Sequence, residues 1–165
     1  MALQRSTIAG TTNASFNSLV PTSTTAGAIA LASAVTVGVS ANVVDHLVTV
    51  TALLGAITPS SSTLLNVFVY GSADGTKWPG GSATTEVIDG TDKTLTLSTN
   101  GNNMRFLGSI LCHTASITMV SEPLSIAAAF NGAMPAKYQI VLQNATGVAL
   151  ASSGHSVNVQ EIYYS

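Results

Sequence analysis

Apolar residues alternate with small or polar residues along most of the chain after residue 28. The alternation is clearest in residues 29–39, 48–54 and 65–70. A period of two is typical of β-strands, because successive side chains point to opposite faces of a sheet. The larger apolar residues of these three predicted strands are Ile29, Leu31, Val35, Val37 and Val39; Val48, Val50, Ala52 and Leu54; and Leu65, Val67 and Val69.

The second half of the chain repeats this alternation between short turn segments. Turns are predicted at residues 42–45, 71–76, 100–103 and 144–147, where Gly, Asn and Asp concentrate. A further short strand is predicted for residues 85–88. The apolar residues of the later strands are Leu95 and Leu97; Met104, Phe106, Ile110 and Cys112 on one face; Ile117 and Met119; Tyr138, Ile140 and Leu142; and Val157, Val159, Tyr163 and Tyr164.

One segment, residues 121–132, has helical spacing instead. Ser121 can cap a helix, Pro123 suits its first turn and Gly132 is a suitable stop. The chain therefore contains about eight short strands and one short helix. Such strands, joined by Gly, Asn and Pro turns, predict an all-β fold: an antiparallel, jelly-roll-like β-sandwich spanning residues 26–165.

The first 25 residues lack a clear helix or strand period and are rich in Ser, Thr, Ala and Asn. A disordered tail is one interpretation. The one we favour is an extended N-terminal arm, residues 1–25, that reaches over a neighbouring subunit. Its apolar anchors would be Phe16, Leu19 and Val20.

Charged residues make up only 7% of the chain, against roughly 25% in ordinary soluble domains. None lies in residues 6–44 or 138–160. A surface of Ser, Thr, Asn, Gly and Ala is easily desolvated, because no strongly hydrated ions must be stripped. We therefore expect other protein chains to cover much of it. The five cationic residues are scattered, which argues against nucleic-acid binding.

No residue pattern predicts catalysis or a cofactor. The histidines are expected at surface loop edges, and Asp45 and His46 should point to opposite faces of a strand. The lone Cys112 is expected to be a small buried apolar residue. Four acidic residues between Asp74 and Asp92 allow a calcium site, although they do not match an EF-hand loop, so we predict no metal. Neither a signal peptide nor a membrane span is evident.

Two aromatic positions suggest contacts. Trp78 follows the Asp74-Gly75 turn, and an exposed indole beside Asp74 could stack on a glycan. The more common role for a single tryptophan is to plug the end of a sandwich. Tyr163 and Tyr164 could lie at a subunit contact, where tyrosine is favoured, or pack at an ordinary strand edge.

Residues 67–78 resemble the strand–turn signature of discoidin-like and phage β-sandwich modules. Residues 129–147 resemble the C-terminal half of small virion proteins of tailed bacteriophages, and both likenesses are of overall texture, without a diagnostic motif. The resemblance implies a virion protein made in the host cytoplasm, most simply a capsid decoration (cement) protein. Such a protein would oligomerise, often as a trimer, and bind the major capsid protein or other virion proteins. A tail, neck, baseplate or fibre subunit, including a glycan-binding one, is the alternative. The Lys77-Trp78-Pro79 sequence departs from the pattern and would alter a ligand surface there.

Overall fold

The computed structural model describes residues 3–5, 28–32, 34–37, 42–59, 63–79, 88–91, 93–95 and 103–164. Within them lie eleven strands and one helix. They are β1 (Leu3–Arg5), β2 (Ala28–Leu31), β3 (Val35–Thr36), β4 (Val43–Leu53), β5 (Leu64–Ser72), β6 (Lys93–Leu95), β7 (Arg105–Leu111), β8 (Thr118–Val120), β9 (Leu124–Ser125), α1 (Ile126–Ala129), β10 (Lys137–Asn144) and β11 (Ser156–Tyr164).

The strands form two antiparallel sheets, which confirms the predicted β-sandwich. One sheet has the order β1–β11–β4–β8, with β9 also pairing with β4. The other has the order β6–β2–β10–β5–β7, with β3 also pairing with β10. Consecutive strands β4 and β5 lie in different sheets, and each pairs with one of the consecutive strands β11 and β10. This nesting of two strand pairs is typical of jelly rolls.

The core lies between the sheets and follows the predicted alternation. Every second residue of β4, β5, β10 and β11 points inward, which gives β4, most of β5 and the first half of β11 their alternating burial. Strand β10 is buried on both faces from Tyr138 to Leu142. A smaller apolar cluster covers the outer face of the second sheet, where Tyr70, Ile88 and Val141 are buried beneath half-buried Trp78. The fully buried aliphatic residues of the main core include Val48, Val50, Ala52, Leu65, Val67, Val69, Ile126, Ile140 and Val157.

Within residues 28–32 and 34–37, the strand predicted at residues 29–39 is two strands, β2 and β3, and Val39 lies outside the described residues. The Ala32 N–H still donates to the Ile140 carbonyl, but the Ala34 N–H donates to the Gly90 carbonyl. This bond to a neighbouring loop interrupts the ladder with β10. The turn predicted at residues 42–45 is also wrong, because β4 begins at Val43 and runs through that segment.

The helix is shorter than predicted and begins later. Ser125 caps α1, since its hydroxyl accepts a hydrogen bond from the Ala128 N–H, and residues 124–125 form β9. Ser121 instead accepts from the Val50 N–H in the neighbouring strand. The predicted stop is confirmed: Gly132 has φ +87° and its N–H donates to the Ala127 carbonyl, as in a glycine-terminated helix.

Strand β7 contains a β-bulge that the alternation did not predict. Val67 faces Gly108 and Phe68 faces Phe106, so Leu107 is the extra residue. The bulge shifts the side-chain parity, which buries Ile110 while leaving Phe106 59% exposed. The predicted common face of Phe106 and Ile110 is therefore wrong.

Other turn and strand predictions fall partly outside the described residues. The turns at 71–76 and 144–147 are present, with Gly75 and Gly147 in the left-handed region. Of the strand predicted for residues 85–88, only Ile88 is described, and it lies outside any strand. Leu97 and residues 100–102 also lie outside the described part.

The N-terminal segment is described only at β1, which pairs with β11 of the same chain. Residues 3–5 therefore form an edge strand of the first sheet and are not part of a free arm. Anchors proposed for a neighbouring subunit, Phe16, Leu19 and Val20, lie outside the described residues.

Candidate functional site

Among the described residues, five of the seven exposed large apolar side chains lie on or beside two adjacent edge strands, β7 of one sheet and β8 of the other. A folded chain that exposes large apolar groups together usually does so at a binding site. We call this side the β7–β8 surface. Its exposed large apolar residues, with their exposed fractions, are Leu64 (39%), Phe106 (59%), Leu111 (60%), Ile117 (46%) and Val120 (58%).

A shallow groove of about 530 Å³ runs between the two edge strands. Of the described residues that line it, Glu122 is the single charged one. Such a lining can be dehydrated without removing water from several ions. Its lining residues are Leu107, Gly108, Ser109, Ile110, Leu111, Met119, Val120, Ser121, Glu122 and Leu124.

Arg105, at the start of β7, is held by its own chain. Its guanidinium donates to the Ala129 carbonyl at 3.0 Å and lies 4.9 Å from the centre of the Phe130 ring. Strand β9 packs close to β7 here, since a Cβ on Gly108 would lie 2.9 Å from the Leu124 side chain. Elements β9 and α1 therefore flank the first half of β7 and leave its second half open.

The sequence pattern missed this surface because it assigned Phe106 to the core and did not single out Leu111 or Val120. One signal was present. An isolated glycine within an alternating run, here Gly108, is typical of a β-bulge or a close backbone contact. A bulge at that point reverses which residues of β7 face solvent.

A buried polar pair joins the two sheets inside the core. His46 on β4 is 1% exposed, and its Nδ1 lies 2.9 Å from the Tyr138 hydroxyl on β10. Its Nε2 has no hydrogen-bond partner and lies 3.7 Å from the nearest Glu161 oxygen. The expectation of a surface histidine is wrong at this position, because β4 extends further than predicted and residue 46 points inward.

The Asp45 carboxylate points away from this pair, as predicted for adjacent strand residues. It accepts hydrogen bonds from the Ser125 hydroxyl at 2.6 Å and from the Ala127 N–H at 2.8 Å. These contacts join β4 to the start of α1. His113 is exposed as predicted, whereas His155 is half-buried and bonded to the backbone of Leu53 and Ala151.

We expect His46 to make the fold less stable in acid. Burial lowers the pKa of His46 from its usual value, while the nearby Glu161 and Asp45 carboxylates act in the opposite direction. As the pH falls below about 6.5, the unfolded chain takes up this proton before the folded chain does. The free energy of unfolding should then decrease by up to about 1.4 kcal/mol per pH unit.

The measurement is chemical denaturation at pH 7.5 and 5.5 for the natural chain and for His46→Gln. Groups such as His155 titrate in both proteins, so the difference between them isolates His46. Equal pH dependence in the two proteins would show that His46 does not contribute.

The residues predicted for glycan contact have structural contacts of their own. One Asp74 oxygen accepts from the Thr76 N–H at 2.8 Å, the Lys77 N–H at 2.7 Å and the Ser72 hydroxyl at 3.2 Å. These bonds hold the pKa of Asp74 well below its usual range. Trp78 packs on the outer apolar cluster and is half-buried. Trp78 therefore lies on the outer face of the second sheet, and neither the predicted plug at the end of the sandwich nor glycan contact is tested by this packing.

Tyr163 and Tyr164 lie away from the β7–β8 surface, on β11, which β4 separates from β8. Tyr164 is 41% exposed, and its N–H donates to the Asn42 carbonyl. Their strand lies between β1 and β4, so neither tyrosine is on an edge strand. Trp78 packs on the other sheet, so the structure does not bring it together with the two tyrosines.

Cys112 is a free, fully buried thiol as predicted, and burial raises its pKa to about 11. Among the described residues, no three His, Cys, Asp or Glu side chains come together in a way that could hold a metal ion. The described part of the chain contains no helix of the length and apolarity that a membrane crossing requires. Comparisons with protein-family models, curated proteins and solved structures found no match.

Proposed function

We propose that this chain is a non-enzymatic structural protein that binds other protein chains through its β7–β8 surface. The observation that carries the proposal is that five of the seven exposed large apolar side chains of the described residues lie on or beside β7 and β8. Two of them, Leu111 and Val120, line a groove whose described lining contains one charged residue. Protein contacts bury apolar cores and exclude most charges, so this surface suits a protein partner.

The assembly we propose is a tailed-phage particle, in which the chain acts as a capsid decoration protein. Support comes from the resemblance of residues 67–78 and 129–147 to phage sandwich modules and from the low charge of the whole chain. A protein that binds only the assembled shell stabilises that shell by mass action. Its partner would be the major capsid protein, and no reaction is involved. A protein at a tail, neck or baseplate position would bind its neighbours through the same β7–β8 surface.

The direct experiment is to locate the chain on particles. Phage particles purified from cells that carry the gene should contain the protein in a fixed copy number by mass spectrometry. Electron cryomicroscopy should then show sandwich-sized density on the head. Density on the tail would show that the chain is a tail protein and not a capsid decoration protein. Particles that lack the protein would overturn the proposed function.

A variant pair tests the role of the surface. Leu111→Glu places a carboxylate among the exposed apolar residues, where burial without a partner costs on the order of 3 kcal/mol. Binding of the purified chain to particles that lack it should weaken about 100-fold, measured by co-sedimentation.

The matched control is Thr36→Glu, an exposed position on β3 in the same sheet but away from β7. It adds the same charge and should bind like the natural chain. If both variants bind equally well, the β7–β8 surface is not the contact.

A further inference from the structure

Within the described part of the chain, no strand pairs with the outer edge of the second half of β7. The Cys112 N–H donates to the Thr63 carbonyl of the neighbouring chain segment, while the Leu64 carbonyl accepts from Ala145 on the other side. Backbone groups along an antiparallel strand alternate between its two sides. The N–H and C=O groups of Ser109 and Leu111 therefore point away from β5, toward the open side of the sheet.

This edge lacks the usual protection against pairing with another strand. Natural edge strands carry charges, prolines or bulges that prevent such pairing. In β7 the bulge at Leu107 and the cation Arg105 both lie in the first half. Residues 108–111 contain no charge and no proline, and the Leu111 side chain is 60% exposed.

We infer that a second copy of this chain occupies the edge, with the two β7 strands antiparallel across a two-fold axis. This inference rests on the proposed function and names one partner of its surface. If Ser109 faces Leu111 of the second copy, the four free groups of each copy meet complementary groups and form four hydrogen bonds. The arrangement is self-complementary, as a two-fold contact requires.

The side chains favour the same occupant. Leu64 and Leu111 are cross-strand partners on the outer face and are both exposed. In the proposed register Leu111 lies directly opposite Ser109 of the second copy and diagonal to its Leu111, so the two Leu111 side chains come within reach of each other on the outer face. Residues 108–111 carry no charge, so they pair most favourably with a strand that also carries none, because no ion then loses its hydration without compensation. The identical strand of this chain provides one.

The deciding variant is Ser109→Pro. Proline cannot donate a hydrogen bond, but it is tolerated on an edge strand where the N–H points outward. The substitution removes two symmetry-related hydrogen bonds and leaves two carbonyl groups unpaired. The dissociation constant of the dimer should rise at least about tenfold. Light scattering after size exclusion and native mass spectrometry of the full chain measure it.

The matched control is Ser109→Ala, which also removes the 2.9 Å hydrogen bond from the Ser109 hydroxyl to Asn66 but keeps the backbone N–H. We expect the natural chain and Ser109→Ala to dimerise, and all three proteins to give the same circular dichroism spectrum. A third variant, Leu111→Lys, should also be monomeric, because lysine on an edge opposes strand pairing.

Three outcomes would overturn the inference: a natural chain that stays monomeric, a closed trimer, or a dimer that Ser109→Pro does not weaken. These outcomes differ from failure of the proposed function. A monomer that still binds particles contradicts the self-pairing alone. A dimer that is absent from particles contradicts the proposed function alone.

Discussion

Replacing Asn144 with alanine is expected to lower the free energy of unfolding by about 3 kcal/mol. The Asn144 side chain is fully buried where β10 turns toward β11. Its amide donates to the Val148 carbonyl at 2.7 Å, and its oxygen accepts from the Thr146 N–H at 3.0 Å and the Thr146 hydroxyl at 2.6 Å. Alanine removes all three bonds and leaves buried polar groups of Thr146 without this acceptor.

The same substitution at Asn66 is the control. Asn66 lies on the outer face and is half-buried, so water can replace its bonds to Gln143 and Ser109. We expect Asn66→Ala to cost about 1 kcal/mol or less. Urea denaturation of both variants measures the difference. If the two variants lose the same free energy of unfolding, burial does not determine how much the Asn144 hydrogen bonds stabilise the fold.

Removing the hydroxyl of Tyr138 is expected to destabilise the fold by about 2 kcal/mol. Tyr138 is fully buried, and its hydroxyl is the hydrogen-bond partner of His46. In Tyr138→Phe the His46 ring keeps its place in the core but loses that bond, and its Nε2 is already unpartnered. Both ring nitrogens would then be buried without a hydrogen bond.

A double-mutant cycle separates the bond from the packing. His46→Leu alone should cost a similar amount, because it leaves the Tyr138 hydroxyl unpaired. The double variant carries no unpaired polar group at this point and should lose less than the sum of the two single variants, by about 1–2 kcal/mol. Strictly additive losses, measured by denaturation at pH 7.5, would argue against this energetic coupling.

The central strands are where the sequence was most informative. The core-facing residues of β4, β5, β10 and β11 fall at every second position, as in the series Val48, Val50 and Ala52, so the alternation identified them. It did not show that the outer face of β10 is buried as well. The Asp74-Gly75 turn was also predictable, because its geometry depends on the side chain of Asp74 and the left-handed conformation of Gly75. Local chemistry alone determines both kinds of feature.

Features that depend on distant residues were not predictable in this way. His46 is buried because Tyr138, 92 residues away, provides a hydrogen bond across the core. Ser121 resembles a helix cap by sequence, yet its hydroxyl bonds to Val50 of a neighbouring strand. The exposure of Phe106 follows from the bulge at Leu107, which shifts the alternation by one residue. Each of these depends on a partner that sequence spacing does not reveal.

The nesting of β4 with β11 has a consequence for how the molecule is made. Val50 pairs with Val157, so this central ladder joins segments more than 100 residues apart. Loop closure must precede the gain from such contacts, and proteins rich in them fold in about milliseconds to seconds. During synthesis, β4 must wait for β11 to leave the ribosome before the first sheet can close. Until then its apolar face is open to other chains, which makes this interval the one most prone to aggregation.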